Sequence, residues 1–145
     1  GIYKTAQKPV QALCRLSKEK LFAYGVVVSE KIANRLYKVK KIIEKPSSQD
    51  SISSDLAIVG RRILTHEVFE YLKKARPNKK GEIVLSEVLG EMVKDGKMVY
   101  GYEIEGRWWE CGDMKNWLRS NTHFAFKHPE YGKDLQKFIK EERIV

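Results

Sequence analysis

Hydrophobic and polar positions change their spacing several times along this chain, and each change marks an element. Residues 1–22 follow no clean period and contain Pro9, which predicts a mostly irregular lead-in with a short helix near residues 9–20. From residue 23 the pattern sharpens. Tyr24-Gly25-Val26-Val27-Val28 and Leu36-Tyr37-Lys38-Val39-Lys40-Lys41-Ile42-Ile43 are β-branched or alternating runs, predicting two strands joined by a polar loop at residues 32–35. Pro46 lacks an N–H, so it ends the second strand and pushes Lys45 toward extended geometry. The serine-rich stretch 47–54 reads as a solvated loop. Leu56-Ala57-Ile58-Val59-Gly60 is a continuous apolar run, as expected of a strand buried on both faces and continuing through residues 61–64.

Helical spacing follows. Thr65 stands where it can cap a short helix with Val68, Phe69 and Leu72 on its apolar side, ending before Pro77. Leu85, Val88, Leu89 and Met92 at three- and four-residue spacing predict a second helix closed by Asp95-Gly96. Met98, Tyr100, Tyr102 and Ile104 alternate, and Gly106 is placed to turn that strand into a hairpin with Arg107-Trp108-Trp109. Asp113 occupies an N-cap position ahead of a helix bearing Met114, Trp117, Leu118, Asn121 and Ala125 on one side. His128-Pro129 breaks it, and Tyr131, Leu135, Phe138 and Ile139 mark a terminal amphipathic helix. Strands first, then strands interleaved with helices, predict an α/β layer rather than a bundle.

With 145 residues and 42% hydrophobic content the chain is sized for one domain. No run approaches the ~18 apolar residues of a membrane helix, and no signal core opens the sequence, so a cytoplasmic protein with no membrane partner is expected. Cys14 and Cys111 are too far apart, and too isolated from other ligand types, to suggest zinc or a disulfide framework. The net charge of +9 is uneven: residues 1–45 hold 11 Lys and Arg against 3 acids, so +8 of it lies in the first third. A basic third suits RNA, phosphorylated substrates or an acidic partner surface. Because only Tyr3, Phe22, Tyr24 and Tyr37 interleave with those charges, a nucleic-acid platform is the weakest of the three readings.

Standard catalytic devices are scarce. The ten glycines include no pair at G-x-G spacing, and the stretch from Gly101 to Gly106-Arg107 lacks the Lys-Ser/Thr of a phosphate loop. His66, His123 and His128 sit at helix ends or surfaces and receive no chemistry. Two constellations remain. Glu44-Lys45-Pro46 fixes a carboxylate and an ammonium at a strand's carboxyl end, where sugar hydroxyls and a phosphate could be met, although an edge-strand charge pair looks the same. Trp108-Trp109-Glu110-Cys111-Gly112-Asp113 backs two carboxylates with aromatic bulk, a pattern open to Mg²⁺ but also to plain helix capping.

These pieces occur together and in order. Tyr24-Gly25-Val26-Val27, Tyr37-Lys38-Val39-Lys40, Ile43-Glu44-Lys45-Pro46, Leu56-Ala57-Ile58-Val59-Gly60-Arg61, Ile63-Leu64-Thr65, Gly81-Glu82-Ile83 with Leu85, Glu105-Gly106, Cys111-Gly112-Asp113 and His128-Pro129-Glu130 form the series. In this the chain resembles the C-terminal half of the bacterial UTP:glucose-1-phosphate uridylyltransferases, or UDP-glucose pyrophosphorylases. The resemblance implies the C-terminal half of a Rossmann-like nucleotidyltransferase mixed sheet with C-terminal helices. It divides the single partial domain into a poorly matched lead-in (1–22), a sugar-phosphate part (23–128) and a terminal helix (129–145).

The resemblance further implies transfer of UMP from UTP to glucose 1-phosphate, with Mg²⁺. Tyr24, Gly25, Glu44, Lys45 and Gly60 would line the sugar-phosphate site, with Glu44 and the Gly25 backbone on glucose hydroxyls. Lys45 would hold the phosphate, and Asp113 would be a metal ligand; Lys45 and Asp113 are the candidate catalytic residues. Glu110, Val84 and Glu87 stand where the family usually has Asp, Gln and Asp, so no role is assigned to them. The glycine-rich nucleotide loop of the family has no counterpart here, so the chain reads as a truncated product, a split-gene half or an excised fragment. Alone it is expected to be inactive and to expose a sheet edge and apolar surface, favouring homo-oligomers or a complementary N-terminal half. Two alternatives stand beside this: a sister thymidylyl-type transferase, and a non-catalytic oligomerisation or regulatory remnant.

Overall fold

The computed structural model describes residues 1–47 and 53–143, so most of the serine-rich stretch 47–54 lies outside the described residues. The chain forms two compact units, Gly1–Gly106 and Arg107–Val145. In the first unit, strands β1 (Val10–Arg15), β2 (Val26–Ala33), β3 (Leu36–Ile43), β4 (Leu56–Ile63) and β5 (Tyr100–Glu103) are accompanied by helices α1 (Ile2–Ala6), α2 (Lys18–Leu21), α3 (Val68–Lys74) and α4 (Leu85–Lys94). The strands follow the order β1-β4-β2-β3-β5 and close into a small barrel. Closure comes from β5, which runs parallel to β1 with Val10 opposite Tyr100, and antiparallel to β3 with Tyr37 opposite Gly101.

Closure corrects one expectation. Each of the five strands has two strand neighbours, so among the described residues the sheet leaves no wholly unpaired edge strand. It also excludes the expected hairpin, because both sides of β5 are already taken and residues 107–109 form no strand. The irregular lead-in is corrected too. Val10–Arg15 is a strand paired with both β4 and β5, and only the single turn α2 remains of the helix expected at 9–20.

The barrel core contains Leu13, Val27, Tyr37, Val39, Leu56, Ile58 and Val99. Gly101 makes room for it, since a β-carbon there would collide with the Leu13 side chain and lie 3.6 Å from Tyr37 Cβ. At one rim Arg15 joins Asp55 at 2.6 Å, Glu103 at 2.9 Å and the Tyr37 hydroxyl at 2.8 Å, tying the ends of β1, β3 and β5 together. The hydrogen bond donated by Tyr37, followed by Arg15, holds the Glu103 carboxyl below the ordinary range.

Helix α4 forms where its period predicts. Val88, Leu89 and Met92 are buried against Val68 of α3 and Ile42 of β3, each contributing about 1.5–3 kcal/mol by burial. Gly96 in the left-handed region (φ 76°) ends this helix. Thr65 does not cap α3: the helix starts at Val68, the Thr65 carbonyl accepts from the Val68 N–H at 3.2 Å, and the Thr65 hydroxyl is buried without a partner among the described residues.

The second unit consists of α5 (Met114–Phe126) and α6 (Gly132–Glu141) behind an aromatic segment. The Arg107 guanidinium lies 4.1 Å above the Trp109 ring, and the His123 ring stacks on Trp109 at 4.1 Å. The apolar side expected on α5 is largely in solvent: Met114, Trp117 and Leu118 are exposed, as are Phe124, Tyr131 and Phe138.

Because Gly101 sits against Leu13, Gly101→Ala should destabilise the first unit by about 1–3 kcal/mol through overpacking. Urea denaturation followed by tryptophan-independent far-UV circular dichroism measures it; an unchanged midpoint would show that the barrel core is not packed as described.

Candidate functional site

At the carboxyl end of β3 the Glu44 carboxylate turns inward. Ser86, buried in the first turn of α4, donates its hydroxyl to Glu44 Oε2 at 2.6 Å. A β-carbon on Gly25 would lie 2.9 Å from the same oxygen and 3.1 Å from Ile58 Cδ1, so glycine is required at residue 25 for the carboxylate to rest there. The two carbonyls ahead of β2 are both engaged. That of Gly25 accepts from the Ile58 N–H at 2.7 Å, and that of Tyr24 accepts from the Lys45 N–H at 3.2 Å. Residues 24 and 25 thus stitch β3 to β4 beneath the Glu44 carboxylate.

Arg62 feels this charge. Burial pushes its guanidinium below the ordinary value, and the Glu44 carboxylate opposes the shift. Lys45 departs from the sequence expectation: its φ is 42°, left-handed rather than extended, and its side chain is exposed. The hydrogen bond from its N–H to Tyr24 holds a tight turn there, against the bias toward extended backbone that Pro46, itself buried, places on the preceding residue.

Gly60 lies in β4 opposite β1, exposed, with nothing within 4 Å of where a β-carbon would be. Nothing in the fold of the described residues demands glycine there. The structure therefore brings Tyr24, Gly25, Glu44 and Lys45 together, adds Ser86 and Arg62, and places Gly60 on β4, the strand of Ile58 and Arg62. Sequence reasoning missed Ser86 because a serine in the first turn of a helix looks like ordinary capping. A cavity of about 590 Å³ opens elsewhere, along α3 and α4, with Glu67, Tyr71, Glu87, Glu91 and Lys97 among its lining residues, and holds none of the candidate residues.

In the second unit Asp113 caps α5 as expected, accepting from the Asn116 N–H at 2.9 Å and from Asn116 Nδ2 at 2.6 Å. The bond from the Asn116 backbone, before other causes, holds the Asp113 carboxyl below the ordinary aspartate value. Glu110 Oε2 approaches the same Asn116 amide at 3.4 Å, and Ser120 donates to the Glu110 carbonyl at 3.0 Å. Among the described residues no group of three or more His, Cys, Asp and Glu could hold a metal. An exposed carboxylate of which Asn116 occupies one direction per oxygen keeps lone pairs for a cation, so this site fits Mg²⁺ as a single-carboxylate contribution, to be completed by water and phosphate oxygens.

The sequence profile of the family described as nucleotidyl transferase matches residues 3–125. The chain belongs to the nucleotidyl transferase family. The match takes in residues 3–22, which include β1. Curated relatives include UTP–glucose-1-phosphate uridylyltransferase 2 of Streptococcus pyogenes, 32% identical over 138 residues and covering 94% of this chain but 46% of the relative. The enzyme of that name from Staphylococcus epidermidis is 34% identical over 118 residues, covering 81% of this chain and 40% of the relative. A crystal structure of UDP-glucose pyrophosphorylase complexed with UDP-glucose superposes with a TM-score of 0.81 at 29% identity, over 88% of this chain and 47% of that one. This nucleotidyl transferase chain therefore spans about half the length of the relatives it matches, and its mixed α/β fold is theirs.

Two outcomes follow from the site. Gly25→Ala should drive the Glu44 carboxylate from Ser86 and cost about 1–3 kcal/mol in stability, read by denaturation and by loss of the Glu44-dependent shift of the Ser86 resonances; a variant of native stability with those resonances unchanged would contradict the packing. The Asp113 cap has a depressed folded-state pKa, so its contribution is present above the unfolded aspartate value and lost as pH falls through the folded one. Carboxyl-carbon NMR should show Asp113 titrating below ordinary aspartate, with the Asn116 amide moving in step.

Proposed function

We propose that this chain carries the sugar-1-phosphate side of a uridylyltransferase that makes UDP-glucose and pyrophosphate from UTP and glucose 1-phosphate. The observation that carries the reading is the Glu44 carboxylate lodged over Gly25 beside the exposed Lys45, in a chain whose relatives bear that enzyme's name. A carboxylate with one oxygen on Ser86 still accepts hydrogen bonds from glucose hydroxyls, and an ammonium alongside suits the phosphate on the anomeric carbon. Tyr24 and Gly25 shape the wall beneath, and Gly60 lets main chain approach the sugar.

In the reaction an oxygen of glucose 1-phosphate forms a bond to the α-phosphorus of UTP, and the bond from that phosphorus to the bridging oxygen of the β-phosphate breaks, releasing pyrophosphate. Positioning and charge neutralisation dominate such transfers. Mg²⁺, when bound, supplies neutralisation of phosphate charge, with Asp113 as one ligand. UTP is bound chiefly by parts of the relatives with no counterpart in these 145 residues, and a complementary segment or further copies of the chain are the expected partners. A cytoplasmic setting belongs to the same reading: Cys14 and Cys111 are unpaired, and no helix of the described residues is long and apolar enough to cross a membrane.

A second reading is supported by the exposed Met114, Trp117, Leu118 and Phe124 of α5, which suit an oligomerisation module without catalysis. UDP-glucose synthesis assayed with the chain alone, and again with the N-terminal segment of a relative added, separates the two. We expect turnover only on complementation, falling about 10²–10³-fold in Lys45→Met or Asp113→Asn. Ordinary turnover by the chain alone would overturn the division of labour, and none in either mixture would favour the module.

A further inference from the structure

Strand β4 does not run evenly beside β1. Gln11 pairs with Arg62 and Leu13 with Ile58, so the single residue Ala12 faces Val59, Gly60 and Arg61. Two extra residues are therefore looped out of β4, and the ladder cannot satisfy their carbonyls. The fully buried Gln11 does so instead. Its Nε2 donates to the Val59 carbonyl at 2.9 Å, to the Arg61 carbonyl at 3.3 Å and to the Ala12 carbonyl at 2.9 Å. Three surrounding acceptors fix which end of the amide is the nitrogen, since an oxygen there would face only other oxygens.

The opposite end argues for a purpose. Gln11 Oε1 is buried with no partner among the described residues. An apolar side chain would avoid that penalty, so the amide is retained for its donors, and those hold the two carbonyls flanking Gly60. Gly60 itself is exposed, its φ lies outside the left-handed region, and nothing lies within 4 Å of where its β-carbon would be. The bulge presents the Gly60 main chain outward from a buried anchor, its carbonyl accepting from the exposed Arg61 Nη1 at 3.2 Å.

We infer that Gln11 is a positioning residue for sugar binding: its amide sets the shape of the 59–61 bulge, and the bulge presents the Gly60 main chain to the glucose ring. This rests on the sugar-1-phosphate reading for the identity of the ligand. It does not rest on it for the geometry, which makes the two separable.

The test uses the full chain labelled with ¹⁵N, titrated with glucose 1-phosphate. In the wild type the Gly60 and Arg61 amides should shift on titration. Gln11→Met should move the Val59–Arg61 resonances before any ligand is added and weaken binding about tenfold, while Gly25 and Ser86 stay in place. Gln11→Glu supplies a readout that simple loss of stability does not. Its buried carboxyl, when protonated, donates to a bulge carbonyl, so its affinity relative to wild type at the same pH should recover as pH falls. Gly60→Ala, which meets open space, keeps the variant set informative if Gln11→Met fails to fold; it should keep native stability and bind more weakly.

Equal affinity in wild type, Gln11→Met and Gln11→Glu at every pH would overturn the inference and leave the sugar-1-phosphate reading intact. A wild-type chain with no response to glucose 1-phosphate would overturn that reading and the ligand side of the inference together. Unmoved Val59–Arg61 resonances in ligand-free Gln11→Met would overturn the geometric side by itself.

Discussion

Residue 25 has no β-carbon, and because of that absence the Glu44 carboxylate can lie within contact distance of the main chain that opens β2. Four elements meet at this point. The carbonyls of Tyr24 and Gly25 hold Lys45 beyond β3 and Ile58 on β4, and α4 contributes the Ser86 hydroxyl that orients the carboxylate. α4 is itself fixed by Leu89 and Met92 packed toward Ile42, one residue before β3 ends. The position of one oxygen is thus set by the same packing that forms the core, and a carboxylate held this way loses little freedom when a hydroxyl reaches it.

Glu44 is held by packing and Gly60 by a buried amide. The two devices differ in cost. Glycine at residue 25 gives up a side chain, whereas Gln11 leaves a buried oxygen without a partner, a penalty of about 1–3 kcal/mol that a strand devoted only to stability would not carry. Both lie in a barrel closed by β5 running alongside β1, so the main chain presenting them has few ways to yield. Asp113 in the second unit is held differently, as a helix cap on Asn116, and owes its depressed pKa to main-chain hydrogen bonding.

Elements whose burial follows one period were legible in the sequence. β2, β3 and β4 appeared as β-branched runs, α4 as a three- and four-residue stripe, and the Asp113 cap from its residue type and place. β1 was hidden because Val10–Arg15 is buried over its middle four positions, two of them Gln11 and Cys14, so neither alternation nor an apolar run announces it. Lys45 was misjudged because the extended bias before proline is only a local preference, and the turn closed by a hydrogen bond to Tyr24 runs against it. Glu44, Lys45 and Asp113 stood out through resemblance to a family. Ser86 and Gln11 did not, since a serine in a helix and a glutamine in a strand acquire meaning only when their partners in space are known.

A sugar received by the carboxylate over Gly25 would be felt first at the side-chain carboxyl ¹³C resonance of Glu44, assigned in this chain and followed as glucose 1-phosphate and, separately, inorganic phosphate are added. The resonance should move with glucose 1-phosphate and stay still with phosphate alone. A Glu44 carboxyl that ignores glucose 1-phosphate while other resonances report its binding would contradict that placement of the sugar.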